Sequence, residues 1–163
     1  MKTIRDLNRP PLIEGRIEGI VVRGASRERA RTVATTQALA GIGLADDRLG
    51  QRGESELSTR QVTLIQAEHL AVIAQLARVG PIDPVGLRRN LVVSGINLLA
   101  LKNQRLQVGE AVLEVVGPCQ PCSRMEDTIG PGGYAAMRGH GGMTARVITS
   151  GAIQVGDVVK ALP

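Results

Sequence analysis

Short alternating stretches dominate the hydrophobic pattern of this chain. From Gly15 to Arg23, GRIEGIVVR alternates well enough to predict a first strand. Thr32 to Leu39 (TVATTQAL), rich in β-branched residues and alanine, predicts a strand that other strands cover. Arg60 to Ile65 (RQVTLI) predicts a short strand that runs into QAEHLAVIAQLARVG, a helix. On that helix Leu70, Ile73, Leu76 and Ala77 share one face, Glu68 sits in the first turn where the dipole favours an acid, and Gly80-Pro81 stops it. His69, beside Glu68, reads as a solvated helix residue. Leu91 to Val93 is a further apolar strand, preceded by Arg88-Arg89-Asn90, and Leu98 to Leu101 is an apolar turn. Val115 to Pro118 ends another strand. Between these lie a polar, arginine-rich loop, Gly24 to Arg31, and a glycine-punctuated loop, Gly41 to Glu54.

A small internal echo adds to the pattern. LQVGEAV (Leu106–Val112) and IQVGDVV (Ile153–Val159) both read apolar, Gln, Val, Gly, acid, any residue, Val. The glycine admits positive φ and the acid can bond the turn's own backbone, so each copy predicts a turn feeding a strand. Two copies suggest paired corners of one closed sheet, since a solenoid needs three or more units. Short strands, one helix and many turn glycines predict a mainly β fold, a barrel or sandwich with a few short helices. Closure into a β-barrel would remove exposed edges. Residues 1–14 read as an N-terminal arm stiffened by Pro10-Pro11, and residues 15–163 as a single domain.

Composition sharpens this. The 163 residues are 43% hydrophobic yet include no Phe, no Trp and one Tyr, so the core must be aliphatic. A chain of this length buries enough surface to hold one real core. The net charge of +5 comes with 17 Arg against 3 Lys. The planar fork of arginine suits carboxylates and phosphates, which points to an anionic ligand. The arginines form no run and have no aromatics beside them to stack bases, so nucleic acid is not the expected partner. No apolar run approaches the ~20 residues of a membrane span, and the N-terminus has no apolar segment of the signal-peptide kind. The expected location is the cytoplasm, where thiols stay reduced.

Candidate chemistry concentrates between Pro118 and Val159. Both cysteines, Cys119 and Cys122, lie there with His140, Tyr134 and the densest run of glycines. A CxxC pair reads as a redox disulfide, as half of a zinc site, or as one reactive thiol with an incidental neighbour. Zinc lacks ligands, since His69 and His140 are the only histidines. The thioredoxin version expects a βαβ unit, and no parallel βαβ pattern is evident. Cys122 is the favoured reactive thiol, because Arg124 and a helix start beside it would both stabilise a thiolate. The glycine-rich stretch 130–142, with Gly132, Gly133, Arg138 and His140, reads either as a flexible lid or as backbone able to approach an anion. It contains neither GxGxxG nor a P-loop lysine. His140 is the one histidine near the thiols and is a candidate general base.

These residues together resemble the MOSC domain, the module at the C-terminal end of molybdenum-cofactor sulfurases that also occurs alone in bacteria. More distantly they are similar to molybdenum-binding reductases acting on N-hydroxylated compounds. The matching pieces are GLADDR (Gly43–Arg48), RQVTLI with Glu68, LRRNLVVSGINLLAL (Leu87–Leu101), LQVGEAVLEVVGPCQPCSRM (Leu106–Met125) and HGGMTARVITSGAIQVGDVV (His140–Val159). The resemblance implies a β-barrel like that of the pyruvate kinase β-domain. It implies a cysteine that carries sulfur as a persulfide or lies beside a bound molybdenum cofactor, and that cysteine falls on Cys122 in Pro121-Cys122-Ser123-Arg124. Arg60, Arg88, Arg89 and Asn90 fall on segments that would contact the pterin phosphate. Met125 stands where a second cysteine is common in the sulfurase and reductase branches, and a thioether is a poor substitute for a thiolate on molybdenum. Direct metal ligation would therefore rest on Cys122 alone. Pyridoxal phosphate is not expected in this chain: it belongs to the sulfurase's separate desulfurase domain, and Lys2, Lys102 and Lys160 have no setting for a Schiff base.

The leading expectation is thus a stand-alone MOSC protein that binds molybdenum cofactor or a related anionic ligand. In it Cys122, Arg124 and His140 would do chemistry, and Arg60, Arg88, Arg89, Asn90, Gly132, Gly133 and Arg138 would hold the ligand. The second expectation is a non-catalytic barrel that docks onto a cysteine desulfurase or a reductase. The third is a CxxC redox protein.

Overall fold

The computed structural model describes residues 1–7, 13–25, 27–48 and 59–163. A one-turn helix α1 (Ile4–Leu7) precedes strand β1 (Glu14–Val22). The Pro10-Pro11 arm and the latter part of the Gly41–Glu54 loop lie outside the described residues. Strands β2 (Arg31–Val33), β3 (Thr35–Leu39) and β4 (Gly43–Leu44) follow, then β5 (Val62–Gln66) and helix α2 (Ala67–Ala77). After these come helix α3 (Pro84–Leu87), β6 (Leu91–Ser94), a 3-10 turn (Leu98–Leu101), β7 (Arg105–Val108) and β8 (Ala111–Pro118). Helices α4 (Arg124–Ile129) and α5 (Gly133–Met137) lead into β9 (Met143–Thr149), β10 (Gly151–Gln154) and β11 (Val158–Ala161).

Seven strands close a barrel in the order β1, β11, β7, β8, β9, β5, β6, with β6 returning to β1. The alternation visible in the sequence is what fills it. Ile17, Leu64, Leu91, Leu106, Leu113 and Val159 point inward, each 1% exposed or less. An aliphatic side chain buried this fully contributes about 1.5–3 kcal/mol of transfer free energy. A second apolar cluster lies against the outside of β5 and β6, where Ile65, Ile73, Leu87, Val92, Met125 and Met137 pack together. Helices α2 to α5 supply most of that layer, and α3 and α4 thereby come to stand beside one end of β1 and β6.

Three sequence expectations change. The Thr32–Leu39 run is split at Ala34, so that β2 pairs with β1 while β3 joins β10 and β4 in a separate three-stranded sheet. Its side chains alternate between exposed and buried, so it is not covered on both faces. On α2, Leu76 is 60% exposed, and the packed face is Leu70, Ile73, Ala74 and Ala77, the i, i+3, i+4, i+7 spacing of one helix face. And one parallel pair exists: β5 runs parallel to β6, with α2 and α3 in the crossover. Parallel neighbours need such a connection.

The two echo segments do form turns, and they meet. The Gly109 amide of the first copy donates to the Val158 carbonyl of the second (3.4 Å), and Asp157 Oδ2 accepts from the Gln154 amide of its own turn (2.7 Å). The first copy is a barrel hairpin, whereas the second carries the chain from the small sheet into the barrel through β11.

Candidate functional site

Two contiguous cavities, of about 430 and 910 Å³, open where β1 ends, and both are lined by Arg23, Ala30, Arg48 and Arg88. The smaller reaches in to Val21, Val22, Thr63 and Asn90. The larger continues outward past Arg27, Arg29, Gly86 and Thr128 to Cys122 and Arg124. Together they have the dimensions of a small-molecule site, and one rim carries the exposed thiol.

Local structure explains each placement. The segment before Arg48 is tied to the end of β1: Asp47 Oδ1 accepts from the Arg23 amide (2.8 Å), and the Arg48 amide donates to the Arg23 carbonyl (2.7 Å). That brings Arg23 and Arg48 together. Helix α3 starts with Asp83 accepting from the Val85 amide (3.0 Å) and ends at Arg88, whose φ of 57° is left-handed. The reversal at Arg88 sends two adjacent arginines to different fates. Arg88 is exposed in the cleft. Arg89 is 7% exposed and fully used: Nε donates to the Gly141 carbonyl (2.6 Å), Nη1 to Leu87 (2.9 Å) and Nη2 to Gln120 (3.5 Å).

Among the described residues, arginines outnumber carboxylates in the cleft. Among the described residues the ion pairs are Arg105 and Arg146 with Glu114, none of which lines the cleft. Burial, followed by Arg23, Arg124 and Arg48, pushes the Arg88 guanidinium below its usual range, with Cys122 acting against this. Charges set together without partners lower each other's affinity for protons and raise it for an anion.

The two cysteines differ. Cys122 is exposed on the cleft, and Cys119 is half-buried. Burial pushes the Cys119 thiol up, while Arg89 and Arg60 oppose it. The Cys119 amide donates to the Gly142 carbonyl (2.8 Å), and the chain from Cys119 to Cys122 makes no turn. The β-α-β crossover lies at β5 and β6, whereas the cysteines follow the antiparallel strand β8, so the thioredoxin arrangement is absent here. Helix α4 beside Cys122 has six residues, too few for its dipole to count for much.

Within the glycine-rich stretch the chain forms helix α5 and the turns on either side of it. Glu126 accepts from the amides of Gly132 (2.7 Å) and Tyr134 (3.0 Å), which starts α5; those bonds, Gly132 first, also hold the Glu126 carboxyl below its usual range. Gly133 is buried against the Met125 carbonyl, and Gly142, at φ 91°, lies so close to the Leu64 carbonyl that a Cβ would collide with it. Neither Gly132 nor Gly133 lines the two cavities, and the same holds for exposed Arg138. His140 Nδ1 lies 3.0 Å from the Ala136 carbonyl, and its ring meets His69 edge to face at 5.3 Å between centroids. His69 is therefore half-buried rather than solvated; burial, then His140, pushes its imidazole below the usual range, with Glu68 opposing.

Of the residues singled out in the sequence, the cleft gathers Cys122, Arg124, Arg88 and Asn90. Asn90 is committed to structure, its Oδ1 accepting from the Thr63 amide (3.0 Å) and its Nδ2 donating to the Val21 carbonyl (3.1 Å). Arg60 is exposed and acts electrostatically on Cys119, and neither it, Arg89 nor His140 lines the cavities. Sequence reasoning missed Arg23, Arg27, Arg29 and Arg48. For Arg27 and Arg29 the signal was present in the polar, arginine-rich Gly24–Arg31 loop, whose sequence by itself predicts only a loop. Among the described residues no group of three or more His, Cys, Asp or Glu could hold a metal ion, and no helix is long and apolar enough to cross a membrane.

Comparison with known proteins adds the following. The family model described as MOSC domain matches residues 42–160. Among curated proteins none matches. The solved structure of the YuaD protein from Bacillus subtilis superposes with a TM-score of 0.77 at 19% identity, covering 91% of this chain and 95% of that one. YiiM from Geobacillus stearothermophilus gives 0.72 at 18% identity, with 91% and 75% covered. YiiM from Escherichia coli gives 0.67 at 18%, with 91% and 70% covered. At such identities the likeness establishes the barrel architecture.

Proposed function

Because this chain belongs to the MOSC domain family, we propose that its arginine-lined cleft binds a phosphate-bearing ligand of the molybdenum-cofactor class, with Cys122 at the rim as a sulfur carrier. The observation that carries this reading is that an exposed thiol and the guanidiniums of Arg88 and Arg124 line one cavity. Unpaired guanidiniums suit the phosphate of a pterin, and the cavity is large enough for a fused ring. When bound, the molybdenum centre would supply redox chemistry that no side chain here offers. The protein's part is to hold the anionic end through Arg88, Arg124, Arg23 and Arg48 and to present the Cys122 sulfur. Met125 is 1% exposed within the helical layer, so Cys122 is the sole protein thiolate available at the rim.

As a carrier, the Cys122 thiolate attacks the outer sulfur of a donor cysteine persulfide. The Cys122 sulfur–sulfur bond forms, the donor's breaks, and the donor leaves as a thiolate. The donor would be a cysteine desulfurase, and the reducing cytoplasm would keep both cysteines free. A second reading, a docking module for such a desulfurase or for a reductase, is favoured by the exposed Val72, Leu76 and Val79 on and just beyond α2.

Protein purified from a cofactor-producing host tests both. The expected result is molybdenum and pterin in the protein, or a mass increase of one sulfur on Cys122. Absence of all three overturns the carrier and cofactor reading. A captured partner whose activity survives Cys122→Ala would establish the docking reading in its place.

A further inference from the structure

The charge in the cleft exceeds what one phosphate monoester would answer. Six arginines, Arg23, Arg27, Arg29, Arg48, Arg88 and Arg124, line the larger cavity. Among the described residues, Glu28 there and Asp47 in the smaller are the only carboxylates on either lining, which leaves an excess of four positive charges among those residues. Asp47 is further committed to the Arg23 amide (2.8 Å). A phosphate monoester carries roughly −1.5 to −2 at neutral pH, so about half of the excess would stay unanswered.

The arginines are also arranged along a path. Arg23, Arg48 and Arg88 stand where the two cavities meet, Arg27 and Arg29 line only the outer one, and Arg124 stands there beside Cys122. A group held at the junction therefore has a second set of guanidiniums next to it, in a space of about 910 Å³. The inner end offers Val21 and Val22 as an apolar wall, with Thr63 and Asn90 beside them.

We propose that the cleft takes a ligand with two linked phosphates, of the nucleoside-diphosphate class, with one phosphate at Arg23, Arg48 and Arg88 and the other at Arg27 and Arg29. The proposal rests on the reading of the cleft as a phosphate site, and it assigns the arginines of the 24–31 loop a binding role. Like-charged side chains that outnumber the carboxylates beside them are costly to hold together unless an anion joins them, and bidentate guanidinium–phosphate bonds suit such a site.

Calorimetric titration at fixed ionic strength with inorganic phosphate, pyrophosphate, AMP and ADP tests it. Pyrophosphate and ADP are expected to bind at least tenfold tighter than phosphate and AMP. In the doubly substituted Arg27→Ser, Arg29→Ser protein that preference should fall to about twofold or less, with phosphate affinity kept; Arg88→Ser should weaken all four. Equal affinity for mono- and diphosphates, no binding of any probe, or a preference that survives the double substitution would each overturn it. The mass of Cys122 and the molybdenum content test the carrier and cofactor reading separately, so failure of one is not failure of the other.

Discussion

The Nε of Arg89 donates to the carbonyl of Gly141 across 2.6 Å, and through that bond a buried cation fastens the loop before β9 to the strand that starts β6. Its neighbour Arg88 has no such duty and faces the cleft. Arg89→Met should therefore cost about 2–4 kcal/mol in denaturant unfolding, since three carbonyls lose their donor in a buried setting. Arg88→Met should stay within about 0.5 kcal/mol of the parent. Equal losses would mean that the two side chains share one role.

Gly142→Ala places a methyl group against the Leu64 carbonyl at a φ of 91°. The expected loss is about 2 kcal/mol or more, because β5 and β9 are paired at that point and neither can retreat. Gly130→Ala, also at positive φ but with open space around it, should cost less. Thermal midpoints of the two variants make the comparison.

The thiols should separate by reactivity. Cys122 is exposed and should be alkylated readily at neutral pH, whereas Cys119, half-buried and pushed above the usual thiol range, should react only as pH rises or the chain unfolds. Its burial also favours folding while the thiol stays neutral. That contribution is full below the free thiol's pKa and is lost as pH climbs through the folded value. Peptide mapping after timed iodoacetamide exposure resolves the two sites, and equal rates would contradict this picture.

The imidazole of His69 is depressed by burial first and by His140 second. Folded His69 thus resists protonation that the unfolded chain accepts near pH 6.5, so the unfolded state binds more protons as pH falls. The associated stability is present above that pH and is lost as pH drops through the lower folded value. Thermal midpoints between pH 7.5 and 5 should show this loss, and His69→Gln should flatten it. An unchanged slope in the variant would remove His69 as the cause.

The barrel was legible because β8 and the first part of β1 bury every second residue in an aliphatic interior, and that period is written in the sequence. The parallel β5–β6 pair was not, since both strands are short and buried and give no parallel signature of their own. In the site, Cys122 and Arg124 were readable from the PCSR segment. Arg88 and Arg89 look alike in sequence, and only the left-handed turn at Arg88 decides which meets ligand and which meets backbone. Arg48 meets Arg23 because Asp47 ties its loop to the end of β1, a contact across 24 positions that no local pattern records.

The central claim is that the Cys122 thiol and the guanidiniums serve one ligand, and anion protection of the thiol measures it most directly. Saturating pyrophosphate should slow alkylation of Cys122 at least fivefold at constant ionic strength, and Arg88→Ser should abolish the protection. A Cys122 rate indifferent to the anion would place thiol and arginines in separate service and contradict the account.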